Sequence, residues 1–217
     1  GGVAATDPEA DGVISPGGVG YDINCGVRLI RTNLTEKEVA PKIETLINAL
    51  FHNVPCGVGG EGKIRFDRRE LSLIMEAGSR IVVEKGLGRP EDIDATEAAG
   101  RLEGADPDAV SDRAYERGRS QCGTLGSGNH FMEVQVVDHV FDEHAASVLG
   151  LGLGQVTVMI HSGSRGLGYQ VCEDYLHALR TAPAKYGIRL PDRQLVCAPV
   201  RSDEGRQYLA AMRAAGC

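Results

Sequence analysis

Residues 155–166 read Gln-Val-Thr-Val-Met-Ile-His-Ser-Gly-Ser-Arg-Gly, and this stretch carries the clearest signal of the fold. Apolar side chains recur at every second position of its first half, which predicts a β-strand: Val156, Val158 and Ile160. Its second half is a glycine-rich loop, and residues 167–180 then have a helical pattern. A strand, loop and helix in this order have the layout of an anion site, since helix N–H groups and the Arg165 guanidinium can hold a phosphate. The alternative is a polar turn with a surface arginine.

Two more loops adjoin predicted strands and carry side chains that can bind metals. Asp22 and Cys25 lie where a glycine-rich segment enters a short strand predicted at residues 27–31. His130 follows a second glycine-rich loop and begins an alternating strand predicted at residues 130–137. Each motif is weak alone, because a free cysteine is often a small buried hydrophobe and a histidine often lines a core.

Taken together, the three loops supply one carboxylate, one thiolate and two imidazoles. This mixed set suits borderline divalent ions such as Mn²⁺, Zn²⁺, Fe²⁺ or Co²⁺ better than magnesium. The sequence therefore predicts a metal site, and its candidate ligands are Asp22, Cys25, His130 and His161.

Helices are predicted between these strands. Thr35 with Glu38, and Asp67 with Glu70, are capping boxes that precede apolar residues at helical spacing. Pro41 is expected to split the first of these helices into a turn and a main helix. The second helix should end near Gly86. Short helical pieces are expected within residues 89–108, and residues 201–215 also have a helical pattern, so the chain combines α and β structure.

Bulk properties limit the function classes. The formal charge is −7, which argues against a non-specific nucleic-acid binder but does not exclude an RNA enzyme, because bound metal adds positive charge. The six cysteines show no disulfide framework, and no apolar run reaches the roughly 18 residues of a membrane span, so a cytoplasmic location is expected. The first residue is Gly1, which suggests an N-terminus that is artificial or truncated.

Three strings closely resemble the signatures of the RtcB family of RNA-splicing ligases. They are GGVGYDINCGVRL at 17–29, GTLGSGNHF at 123–131 and HSGSRG at 161–166. They occur in the family's order over the whole chain, which makes chance similarity an inadequate explanation.

The resemblance implies a GTP- and Mn²⁺-dependent ligase. Such an enzyme joins RNA ends that carry a 3′-phosphate or 2′,3′-cyclic phosphate to a 5′-hydroxyl, in tRNA splicing or RNA repair. It acts through a guanylylated histidine and two metal ions that flank the reacting phosphates. The resemblance also implies an α+β fold with mixed sheets and flanking helices.

Roles carry over from the resemblance residue by residue. Asp22, Cys25 and His130 would hold one metal ion, and Cys25 would bridge to a second ion held by His161. The guanylate pocket would include Asn129, His130, Phe131, Met132 and Glu133. Arg165 and Ser164 would hold an RNA or nucleotide phosphate.

The resemblance implies that residues 1–217 are part of one catalytic domain, truncated at both ends. The guanylylated histidine would lie outside this chain, which would then be inactive alone, and the second metal site would be incomplete. The chain is expected to be monomeric, and the need for a helper protein stays open. Two alternatives remain: a dinuclear-metal phosphoesterase with the same ligands, and a non-catalytic metal-binding remnant.

Overall fold

The structure is a computed structural model that describes residues 4–217, and in them helices outnumber strands. The strands are Val13–Ile14 (β1), Gly26–Thr35 (β2), Phe131–Val136 (β3), Gln155–Ser162 (β4) and Ala198–Pro199 (β5). The α-helices are Pro16–Val19 (α1), Glu36–Val39 (α2), Ile43–Asn53 (α3), Arg68–Ala77 (α4), Ser79–Glu84 (α5), Pro90–Asp94 (α6), Asp112–Gly118 (α7), Glu143–Leu149 (α8), Arg165–Ala178 (α9), Ala182–Lys185 (α10) and Asp203–Gly216 (α11). Short 3₁₀ turns lie at Pro8–Ala10, Ala40–Lys42, Glu97–Gly100, Pro107–Ala109, Leu179–Thr181 and Arg193–Leu195.

The chain forms two compact units. The sheet unit contains residues 25–63 and 123–163, and the helical unit contains residues 64–122 and 164–217 together with the described residues before 25. Both helices and sheets are present, so the predicted α+β class is confirmed. That residues 1–217 belong to one catalytic domain stays a prediction.

The sheet unit is built on three antiparallel strands in the order β2-β4-β3. β4 lies in the middle, so that His161 pairs with Val27 on one side and with Phe131 on the other. β2 and β4 extend beyond the predicted strands, because ladder hydrogen bonds to a partner continue past the apolar alternation that sequence patterns detect. β3 begins at Phe131, one residue later than predicted.

The first predicted capping box is present in the sheet unit. The Glu38 carboxylate accepts hydrogen bonds from the Thr35 backbone N–H at 2.8 Å and from the Thr35 hydroxyl at 2.7 Å. These bonds hold the pKa of Glu38 below its usual value. The split at Pro41 is also confirmed, because Pro41 lies in the 3₁₀ turn between α2 and α3.

The helical unit contains the second capping box and a helix break that the sequence pattern did not predict. Glu70 accepts from the Asp67 backbone N–H, and Asp67 accepts from the Glu70 backbone N–H, each at 2.8 Å. The expected single helix is wrong, since it stops at Ala77 and restarts at Ser79. Gly78 lies between the two helices with φ 67° and ψ −147°, a conformation that is open essentially to glycine alone.

The helical unit also holds two clusters of buried apolar side chains. Its larger cluster consists of Ile23, Phe66, Leu71, Met75, Val110, Ala114, Tyr115, Leu167, Val171, Ala211 and Ala214. A second cluster consists of Leu179, Ala182, Val196, Ala198 and Tyr208. The sheet unit instead exposes several large apolar side chains, among them Phe51, Val58 and Phe141. No helix within residues 4–217 is long and apolar enough to cross a membrane.

Candidate metal centre

Strand pairing brings three of the predicted ligands together in the sheet unit. Cys25 directly precedes β2, His130 directly precedes β3, and His161 is the seventh of the eight residues of β4. In an antiparallel sheet the start of one strand lies beside the end of its neighbour. The starts of β2 and β3 therefore lie on either side of the end of β4, and residues far apart in sequence meet there.

The three side chains are close enough to share one ion. Their candidate ligand atoms all lie within 4.8 Å of one another. The Cys25 Sγ is 3.1 Å from His161 Nε2 and 3.6 Å from His130 Nε2. Sulfur and nitrogen ligands of a tetrahedral ion, bound at their usual lengths, lie about 3.5 Å apart. The cluster thus has the spacing of a metal site.

Neighbouring side chains fix the orientation of the cluster. The Phe131 ring contacts the His161 ring edge to face, with centroids 5.3 Å apart. The Asn129 amide Nδ2 lies 4.0 Å from the Cys25 Sγ, where it can donate a hydrogen bond to the sulfur. Such a donor favours the thiolate form that a metal requires.

The glycine-rich loop before His130 is held by a second loop. The Gly57 backbone N–H donates to the Gly126 carbonyl at 2.7 Å, and the Leu125 N–H donates to the Pro55 carbonyl at 2.9 Å. Gly126 has a φ of 104°, which L side chains rarely adopt. The Ser162 hydroxyl ties the end of β4 to the same loop by donating to the Leu125 carbonyl at 2.8 Å. Sequence patterns did not predict that residues 55–57 support the site.

The fourth predicted ligand, Asp22, belongs to the helical unit. Its Oδ1 accepts a hydrogen bond from the Ser164 hydroxyl at 3.3 Å, and the Ser164 backbone N–H donates to the Ile23 carbonyl at 3.1 Å. Asn24 follows with a φ of 58°, so the chain turns sharply between Asp22 and Cys25. The role of Asp22 as a ligand stays a prediction.

The loop that contains Arg165 differs from the simple anion site that the sequence suggests. Arg165 is the first residue of α9 and has a φ of 54°. The next backbone N–H, of Gly166, donates to the Gln121 side-chain carbonyl at 2.8 Å. One of the expected phosphate donors is therefore occupied by Gln121. No local pattern predicts this contact, since 45 residues separate its partners.

Comparison with known proteins then assigns the family. The sequence profile of the family described as tRNA-splicing ligase RtcB matches residues 1–216. The chain belongs to the RtcB family.

Several relatives within the family are close in sequence. The chain is 56% identical over 215 residues to a protein named tRNA-splicing ligase RtcB from Thermococcus kodakarensis, and the match covers 99% of this chain and 44% of the relative. It is 58% identical over 214 residues to the protein of the same name from Archaeoglobus fulgidus, again with 99% and 44% covered. A Pyrococcus furiosus relative of that name is 56% identical over 192 residues, which are 88% of this chain and 20% of the relative. The chain spans less than half the length of these RtcB relatives.

The residues predicted for the guanylate pocket of this RtcB chain run from the loop into β3. Strand alternation places Phe131 and Glu133 on one face of the sheet and Met132 on the other. The Glu133 carboxylate accepts a hydrogen bond from Gln135 Nε2 at 2.9 Å. His130 directly precedes the strand, and its ring lies 5.4 Å from the His161 ring. Nucleotide binding by these residues stays a prediction.

Proposed function

We propose that this chain supplies metal-binding and phosphate-binding residues of a GTP- and Mn²⁺-dependent RNA ligase. The observation that supports this most directly is the cluster of Cys25, His130 and His161 at the paired ends of three strands. The family supports the reaction class, since its relatives are named tRNA-splicing ligases. The proposed reaction joins a 3′-phosphate or 2′,3′-cyclic phosphate end of RNA to a 5′-hydroxyl end.

The residues of the cluster fit a divalent transition metal. When bound, such ions neutralise charge on phosphate oxygens and on attacking and leaving groups. In this proposal Asp22, Cys25 and His130 would hold one ion, and Cys25 and His161 would contribute to holding a second. Phe131 would keep the His161 imidazole in place, and the Asn129 amide would steady the thiolate.

Other residues of the chain would position the substrates. Phe131 and Glu133 lie on the sheet face that carries His161, where they would line the guanylate pocket with Asn129 and His130. Met132, whose side chain lies on the other face, would contribute to this pocket through its backbone. Arg165 and Ser164 would hold a phosphate of the RNA. The proposed reaction needs a guanylylated histidine. We assign that role to none of the six histidines of this chain. In this proposal the enzyme is monomeric and cytoplasmic and acts on RNA, and a helper protein is a candidate activator.

Metal binding is the first test. Free Mn²⁺ is measured by electron paramagnetic resonance in titrations of the chain and of the variants Cys25→Ala, His130→Ala and His161→Ala. Each variant is expected to weaken binding by about 100-fold or more, because loss of an outer-shell partner alone weakens it by about 10- to 100-fold. His144→Ala removes an exposed histidine of the same unit and should leave affinity unchanged. Unchanged affinity in Cys25→Ala would contradict the metal assignment.

Nucleotide transfer is the second test. The complete protein, incubated with radiolabelled GTP and Mn²⁺, is expected to form a covalent guanylate adduct and to join RNA with the stated ends. The Cys25→Ala variant should form no adduct. A protein that hydrolyses phosphate esters without any GTP adduct would instead be the dinuclear phosphoesterase, which could use the same ligands.

A further inference from the structure

A stacked pair of tyrosines lies on the surface of the helical unit, and the proposed chemistry leaves it unused. The Tyr21 and Tyr169 rings lie 4.8 Å apart between centroids with an interplanar angle of 27°. The Arg117 guanidinium lies over the Tyr169 ring at 4.7 Å. Tyr21 is 45% exposed and Tyr169 is 39% exposed. We call Tyr21, Tyr169 and Arg117 the tyrosine ledge.

The ledge is held in place from beneath. The Arg117 guanidinium donates to the side-chain carbonyl of Gln170, which is 2% exposed, at 3.0 Å, and it lies 3.8 Å from the Glu173 carboxylate. Tyr169 is anchored in α9, the 14-residue helix that also carries Gln170 and Glu173. A ring that is already ordered loses little conformational entropy when a ligand stacks on it.

The ledge lies close to the predicted phosphate-holding residues of the same unit. Tyr169 follows Arg165, the first residue of α9, by four residues, which is about one turn of the helix. Tyr21 directly precedes Asp22, whose carboxylate accepts a hydrogen bond from the Ser164 hydroxyl. Aromatic rings and phosphate-binding groups are thus combined over a short distance within the helical unit.

This combination matches the chemistry of single-stranded RNA. Unpaired bases stack on aromatic side chains while arginine and hydroxyl groups contact the adjoining phosphates. The chain carries a net charge of −7, so non-specific attraction to phosphates is weak and base stacking can contribute a larger share of the affinity.

We propose that Tyr21 stacks on the terminal unpaired base of the RNA 3′-phosphate end, with Tyr169 and Arg117 supporting its ring. This inference rests on the proposed function and adds a recognition element for the substrate. Because every base has a π-face, the contact would select an unpaired end without selecting its sequence.

A fluorescent base tests the stack directly. A single-stranded RNA of ~10 nucleotides, a length that one binding surface can hold, carries a 3′-phosphate and a terminal 2-aminopurine, and it is titrated with the complete protein and Mn²⁺ without GTP. Stacking should quench the 2-aminopurine on binding. Tyr21→Ala and Tyr21→Leu should abolish the quenching and weaken binding by about 30-fold, the middle of the range for one stacked base. Tyr21→Phe should behave like the parent protein.

Two controls separate stacking from other effects. Phe141→Ala removes a ring that is 94% exposed in the sheet unit and should change neither quenching nor affinity. An RNA with an abasic terminal nucleotide should bind the parent protein and Tyr21→Ala equally, because the stacking partner is missing. Tyr21→Leu keeps an apolar side chain of similar length. If the fold needs only such a side chain at this position, this variant preserves the fold.

The outcomes distinguish the two proposals. If the parent protein binds the RNA but Tyr21→Ala binds it equally well with unchanged quenching, the ledge has no role and the proposed ligase function stands. If the parent protein binds no RNA, the proposed function fails and the ledge inference fails with it. Weakening by Tyr21→Ala that persists with the abasic RNA would contradict stacking on the terminal base.

Discussion

At the residue scale, two neighbouring tyrosines of the helical unit show that a buried hydroxyl can either stabilise or destabilise the fold. The difference is whether the hydroxyl has a hydrogen-bond partner. The Tyr175 and Tyr208 rings lie 5.3 Å apart. The Tyr175 hydroxyl donates to the Ala109 carbonyl at 3.0 Å. The Tyr208 hydroxyl is fully buried and finds no hydrogen-bond partner among residues 4–217. Burial also raises the pKa of Tyr208, since the charged phenolate would lose its hydration.

Removal of the Tyr208 hydroxyl is therefore expected to stabilise the protein. Tyr208→Phe keeps the ring in the core and deletes a polar group that lost its water on folding, so the free energy of unfolding should rise by about 1 kcal/mol. Tyr175→Phe is the matched control, which deletes a satisfied hydroxyl and should lower stability by about 1 kcal/mol. Urea denaturation followed by circular dichroism measures both. A destabilised Tyr208→Phe would show that the hydroxyl has a bound partner.

At the element scale, local sequence patterns predicted the starts of helices correctly. Features that depend on contacts between distant residues were not predicted. The capping boxes at Thr35 and Asp67 were predictable, because each involves residues only three positions apart. The break at Gly78 was not predictable from helical spacing, which continues through it. A Cβ at Gly78 would collide with the carbonyl of Gly100, a neighbour that only the tertiary fold brings there.

Gly78 gives a prediction at this scale. Gly78→Ala is expected to lower the free energy of unfolding by about 3 kcal/mol or more, because it combines an unfavourable backbone conformation with a clash against backbone. Gly86→Ala tests a positive φ without a clash, since Gly86 has a φ of 77° but no atom of residues 4–217 lies within 4 Å of its added Cβ. That variant should lose only about 1 kcal/mol. Thermal denaturation of the two variants compares them. Equal losses would show that the contact with Gly100 is unimportant.

At the scale of the whole molecule, the sequence predicted the α+β class. The strings around Cys25, His130 and His161 sufficed for the family, and the fold brings these three side chains together. Their role as metal ligands stays a prediction. The same reasoning missed the support that the loop containing Pro55 gives to the site, and it missed Gln121. These contacts depend on which loops the fold brings together, and no periodicity or local spacing records that.

The contrast between the two units leads to a further prediction. The sheet unit exposes many apolar side chains, and both buried apolar clusters lie in the other unit. Because less apolar burial stabilises the sheet unit, bound metal should contribute noticeably to its stability. At a Mn²⁺ concentration about 100 times the dissociation constant, binding stabilises the folded form by about 2.7 kcal/mol. Amide hydrogen exchange in β2, β3 and β4 should therefore slow by about 100-fold. In Cys25→Ala the same ion should leave these exchange rates unchanged, and equal slowing in that variant would place the ion elsewhere.

The position of His161 near the end of the middle strand also sets an order of events during synthesis. Cys25 is separated from His130 by 105 residues and from His161 by 136 residues. At a translation rate of about 5 to 20 residues per second, roughly 7 to 27 s pass between the addition of the thiol and that of its last imidazole partner. Throughout that interval the nascent chain carries Cys25 without the complete set of partners that would hold an ion beside it.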